Sequence, residues 1–276
     1  MNTSALERPR GLALWQRQFF ATLRIEIGRA LFSRRSIPAW LAALTPIALS
    51  GLIFTLSLFG AKTEGSARSL TMYYFYLVLM VATFFGTAFI FVNLFRGDLL
   101  DRSLHFYFLT PMRRGVLAAG KFAAGLVAGW TLFGLSTAIS LEVSAVAYRM
   151  GSSSVYPGLG PSTLVGYLLT TVLGVLGYGS VFLLLGLFVR SPLLPALALW
   201  GWESINFLLP PVLKRLSVVH YLKSIVPVPV DDGPFAVLSE PTSAWLSVPG
   251  LLLVAAIVLF LAARRLRGME IAYSSE

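Results

Sequence analysis

The chain has no cysteine, two histidines and 12 acidic residues against 22 Lys and Arg, and only 12% of its 276 residues are charged. Without cysteine there is no disulfide, no thiolate metal ligand and no thiol nucleophile. The histidines, His105 and His220, fall in loops on opposite sides of the topology derived below, so a serine hydrolase or a histidine-held metal has no partners to assemble from. Residues 134–138 read Gly-Leu-Ser-Thr-Ala, a near miss to a nucleophile elbow that ends in Ala and lies inside an apolar run. No His-Glu-x-x-His pair occurs either. The scarcity of charge accompanies 57% apolar residues, a composition of the membrane class rather than the soluble one. The formal charge of +10 is spread beside apolar runs, where it marks membrane flanks and not a nucleic-acid surface.

Six apolar runs, at 37–60, 70–95, 116–147, 164–189, 193–209 and 245–263, reach or approach the roughly 20 residues that cross a bilayer. This predicts one all-α transmembrane domain, 1–276, with six spans. Sixteen of the 22 Lys and Arg lie on the amino-terminal side of these runs, and the bias predicts a multi-pass protein of the cytoplasmic membrane with both termini inside. Residues 1–36 have no continuous apolar core and are no secretory signal. Within them, 10–35 reads as an amphipathic helix at the membrane interface. Leu12, Trp15, Phe19, Phe20, Leu23, Ile27 and Leu31 form one arc, with Arg17, Arg24 and Arg35 opposite to meet lipid head groups. Glu26 falls inside the apolar arc, and an i,i+3 pair with Arg29 accounts for it.

On the other side, the loop 210–244 is long and proline-broken, and 212–225 reads as a short interfacial helix. Glycines 125, 129, 174, 177, 179 and 186 allow helices to approach closely. Two acids lie within the runs, where an uncompensated carboxylate costs a few kcal/mol at least. Glu142 is near the outer end of the third run, within reach of water or Arg149. Glu203, in the fifth, stands three residues before Asn206, so on a helix the two share a face expected to line a translocation path or a subunit interface.

The remaining segment, 98–121, reads DLLDRSLHFYFLTPMRRGVLAAGK. Charges keep it in water while Leu104, Phe106, Phe108 and Leu109 give it an apolar side, and Pro111 divides it into a helix-turn-helix elbow. Its end, 115–121, satisfies most of a phosphate-loop pattern, but Phe122 stands where a Ser or Thr is needed and a membrane run follows, so no nucleotide site is assigned there.

Ser103-Leu104, Pro111, Arg113-Arg114 and Gly120-Lys121 resemble the Thr-Leu, Pro, Arg and Gly-Lys series of ABC-2 type transporter permeases. Arg102 and His105 stand where a glycine and an acid are usual. The resemblance implies that 96–114 is a cytoplasmic coupling loop docking into a separate ABC ATPase subunit through Asp101, Leu104, His105, Phe106, Phe108, Pro111, Arg113 and Arg114. It also implies that 10–35 is a connecting helix that brings Glu26 to the same partner. ATP and Mg would then be bound by that partner, leaving this chain with no cofactor and no catalytic site. A second copy or a related permease would complete a path between first, second and fifth spans, short helices in the outer loop would cap it, and the cargo would be an exported hydrophobic or amphiphilic molecule. Two other readings fit the residues: a proton- or ion-coupled transporter using Glu142 and Glu203, and a non-transporting membrane scaffold.

Overall fold

The computed structural model describes residues 11–60, 66–100, 113–151, 160–189, 193–230, 237 and 243–267, which are helical throughout with no strand among them. Helix α1 (Leu12–Phe32) ends at Ser33, whose extended backbone breaks it, and the turn Arg34–Ser36 leads into α2 (Ile37–Leu58). Helix α3 (Ala67–Tyr73) continues through a π-helical stretch, Tyr74–Thr83, into α4 (Phe84–Leu100). The long helices α5 (Arg114–Gly151) and α6 (Pro161–Phe188) follow, then α7 (Leu193–Ser204). A 3-10 turn, Asn206–Leu208, precedes the short helices α8 (Pro211–Lys214) and α9 (Val218–Lys223), and α10 (Ala244–Arg267) closes the chain.

Among the described residues five stretches, Arg34–Leu58, Arg68–Gly97, Arg114–Met150, Pro161–Phe188 and Trp245–Arg265, are long and apolar enough to cross a membrane, as in an all-α membrane protein. The apolar run 193–209, the fifth of the six, forms a helix shorter than these five stretches. Its helix α7 has 12 residues, about 18 Å at 1.5 Å per residue against a hydrocarbon core of about 30 Å. Pro210 and Pro211 lack the N–H groups that would continue it. The Phe207 carbonyl, which a helical residue 211 would have bonded, instead accepts the N–H of Val237 at 3.0 Å.

Interhelical contact follows the small residues and hydroxyls, the usual adhesive where lipid removes any hydrophobic drive between helices. A methyl placed on Gly125 or Gly179 would meet the ring of Phe91 within 3 Å, so α5 and α6 both close on α4 there. Thr71 and Tyr167 hydroxyls lie 2.6 Å apart, the Tyr74 hydroxyl reaches Thr171 at 2.9 Å, and Ser136 donates to the Ala43 carbonyl at 2.5 Å. These bonds tie the second span to α6, and α5 to α2.

On α1 the apolar arc divides: Leu12 is 72% and Phe20 63% exposed, Trp15, Phe19, Leu23, Ile27 and Leu31 are half-buried, and the buried residues are Thr22 and Glu26. The single interfacial helix expected over 212–225 is instead two short helices. The second retraces α6, because Val218 packs at Gly177, Leu222 at Gly174 and Pro227 at Gly166. The chain from 218 to 227 thus runs from the middle of α6 back toward its beginning.

Candidate functional site

Two constellations stand out, one at the start of α5 and one beside the middle of α6. The first joins α1 to the start of α5. Lys121 is fully buried, and its ammonium donates to a Glu26 carboxylate oxygen at 2.6 Å and to the Leu94 carbonyl at 2.8 Å. Arg29, one turn on, reaches the same Glu26 oxygen at 3.3 Å. The i,i+3 pair read from sequence therefore exists, but as the outer partner of a buried pair that links elements 95 residues apart. One turn toward the amino terminus, a methyl on Gly120 would sit 3.0 Å from Thr22 Cβ, so only glycine lets α1 and α5 touch along this seam without adjustment. The Arg113 guanidinium stacks 3.8 Å over the Trp15 ring and completes a three-point attachment.

This arrangement accounts for the phosphate-loop look-alike. Residues 115–121 are the first turns of α5, and the lysine that such a loop would turn to phosphate is consumed by Glu26 and Leu94. Of the coupling residues named above, Asp101, Leu104, His105, Phe106, Phe108 and Pro111 lie outside the described residues. Arg113 and Arg114 lie at the head of α5, Arg113 exposed and Arg114 half-buried. Glu26 faces inward, to α5. Lys121 was quoted from the Gly-Lys pattern but not assigned a role; its signal was a lysine inside an apolar run.

We expect Gly120→Val to prise α1 from α5, at a cost of about 1–3 kcal/mol for an overpacked contact. Because the chain has no native cysteine, a cysteine pair introduced across the seam reports directly. Crosslinking should fall sharply in the valine variant, and an unchanged yield would mean that the glycine is not the contact.

The second constellation surrounds Glu203, which is 2% exposed at the end of α7. Its oxygens accept from the Ser217 hydroxyl at 2.7 Å and from the Val218 and Val219 N–H groups at 3.0 and 2.8 Å. The carboxylate thus caps the first turn of α9 and fastens it to α7, satisfying N–H groups that have no partner within the helix. Beside it opens a cavity of about 330 Å³ between the second span and α7, lined on one side by Phe75, Tyr76 and Met80, on the other by Trp200 and Glu203, with Lys223 at its edge. The Trp200 indole donates to the Met80 carbonyl at 2.9 Å, inside the π-helical stretch, and the Lys223 ammonium lies 5.3 Å from the Phe75 ring centre.

Asn206 is likewise 2% exposed, and its Nδ2 has no hydrogen-bond partner among the described residues. Glu203 and Asn206, expected on one helical face, are both buried, Glu203 at the end of α7 and Asn206 at the start of the 3-10 turn that follows. Glu142 is exposed on α5 and is not brought to either constellation. Trp200, Tyr76 and Lys223 had no sequence signal that singled them out, since aromatic residues and a loop lysine are ordinary near a membrane boundary. No family model and no curated protein matches this chain.

Proposed function

We propose that this chain is the membrane-spanning permease subunit of an ATP-driven transporter of the ABC-2 type, an exporter powered by a separate ATPase subunit. The observation that carries the reading is the buried Glu26–Lys121 pair. It locks α1 to the start of α5, the helix that follows the 98–113 segment in the chain. A push delivered to that segment or to α1 is thereby shared by both, and α5 passes it along the length of the bundle. A bundle anchor alone would not need a buried charge, whose desolvation must be repaid by its partner.

In this reading both termini face the cytoplasm, consistent with the Lys and Arg bias. The cavity between the second span and α7 takes part in the path, and its aromatic walls with Lys223 at the edge suit an amphiphilic cargo carrying negative charge. A second copy or a related permease supplies the opposite wall. Glu203, whose oxygens serve three donors of the chain itself, acts as the latch of the outer segment rather than as a proton carrier.

The test is co-purification from native membranes in mild detergent, comparing the wild type with a Leu104→Asp, Phe106→Asp double variant. The expected result is a nucleotide-binding subunit that accompanies the wild type and is lost from the variant. If no ATPase accompanies the wild type even after crosslinking, the reading fails.

A further inference from the structure

The second span holds more residues than its length needs. Its outward side runs through Tyr76, Val81, Phe85 and Phe89, thirteen residues in three turns, where three α-helical turns take about 11. Helix α6, packed alongside, gives the same surplus. Thr71 meets Tyr167, 96 residues on, and the Val92 backbone lies against Gly186, 94 residues on, so between these contacts the second span spends two residues more than α6. The π-helical stretch Tyr74–Thr83, whose wider turns close by i→i+5 bonds, takes up the excess.

Both flanks of that stretch are pinned to α6. At its start the Tyr74 hydroxyl lies 2.9 Å from that of Thr171, and just past its end the Phe84 ring packs against Tyr178 and Phe182, with centres 5.0 Å apart. Between the pins, Phe75, Tyr76, Met80 and Val81 make one wall of the cavity beside Glu203. They are two pairs five residues apart, which is the repeat of a π-helix; on an α-helix, residues five apart point about 140° away from one another. Burial repeats the pairing, with Phe75 and Met80 buried and Tyr76 and Val81 exposed. From the opposite wall the Trp200 indole holds the Met80 carbonyl at 2.9 Å. We propose that the two surplus residues belong to the cavity: they set Phe75 with Met80 and Tyr76 with Val81 on one wall, and the bundle does not require them. This deepens the transport reading, on which the cavity's place in the path rests, while its tests need neither an ATPase nor a cargo, so the two can fail separately.

Deleting Ala82 and Thr83 together returns the span to α-helical length with both flanks in phase. No side-chain hydrogen bond is lost with them, since the Thr83 hydroxyl is buried without a partner among the described residues. Deleting Thr83 alone leaves the flanks about 100° out of phase. The full-length protein in mild detergent should therefore unfold at a higher temperature with both residues removed than with one. Deleting Leu132 and Phe133 from the α-helical α5, which has no such surplus, should prevent folding. Because the chain has no cysteine, Tyr76→Cys with Val81→Cys reads the register: dibromobimane should bridge the two thiols in the intact span and fail to bridge them after the double deletion. A Ser204→Cys thiol, on the cavity wall, should react with a maleimide several-fold more slowly after that deletion, because the Trp200 indole, released by Met80, folds into the space. No bridge in the intact span, a double deletion that is less stable than the single one or does not fold, equal tolerance of the deletion in α5, or an unchanged reaction at Ser204→Cys would each overturn the proposal.

Discussion

Lys121→Met should lower the stability of the protein by about 3–5 kcal/mol, the cost of stranding a buried charge when its partner is removed. In the wild type Glu26 is 3% exposed and Lys121 fully buried, so neither can turn to water when the other is lost. Arg29, at 3.3 Å and partly exposed, is a weaker substitute for an ammonium at 2.6 Å. The decisive comparison is the double variant Glu26→Gln, Lys121→Met. Removing both charges together removes the stranded one, and a buried pair replaced by neutral residues is often close to neutral in stability. Unfolding in detergent, followed by tryptophan fluorescence, should therefore show a large loss in the single variant and recovery in the double. Additive losses across the cycle would mean that the two groups do not depend on one another. Under the proposed function the double variant has a further signature: it folds and reaches the membrane, yet couples ATP hydrolysis to transport poorly, because the seam no longer carries a load.

Glu203→Ala should release the outer segment. Three donors, the Ser217 hydroxyl and the Val218 and Val219 N–H groups, lose their acceptor at once in a buried place. At about 1–3 kcal/mol for each buried group left unsatisfied, the cost is roughly 3 kcal/mol or more. Glu203→Gln keeps one acceptor oxygen and turns an amide toward a backbone N–H, so its effect is smaller but of the same kind. Hydrogen exchange gives the local readout: amides from 218 to 226 should exchange faster in the alanine variant while those of α5 keep their protection. Protection unchanged at Val218 and Val219 would rule out the latch.

Much of the bundle was legible because apolar runs report what lipid demands, and five of the six runs correspond to membrane-length helices. The fifth run, 193–209, is the short one, and Pro210-Pro211 after it announce an irregular end. An apolar run measures composition, not continuity: α7 stops at Ser204, ahead of the prolines, and Glu203 at its end caps α9 through donors 14 to 16 residues further on. The prolines were visible, while the cap could not be read locally. On α1 most of the apolar arc is half-buried, while the buried positions of the helix are the polar Thr22 and Glu26. Glu26 was conspicuous for its position in that arc, and its partner was not, since nothing in sequence links residue 26 to residue 121. The π-helical stretch at Tyr74–Thr83 had no sequence signature at all. The coupling residues from Asp101 to Pro111 rest on the family resemblance alone.

The buried seam of α1 also sets how that helix answers to its solution. Arg17 and Arg24 stand on its exposed side, where water and ions reach their charges, and at 1 M salt, where the screening length is about 3 Å, any attraction between them and anionic head groups fades. The Glu26–Lys121 contact is out of reach of those ions. A wash that strips a surface-adsorbed helix from its bilayer should therefore leave α1 in place, held by protein instead of lipid. Warming acts in the same direction, since the penalty for keeping two charges dry falls as temperature rises. High ionic strength and heat, which loosen most helices at a membrane surface, should leave this one attached to α5.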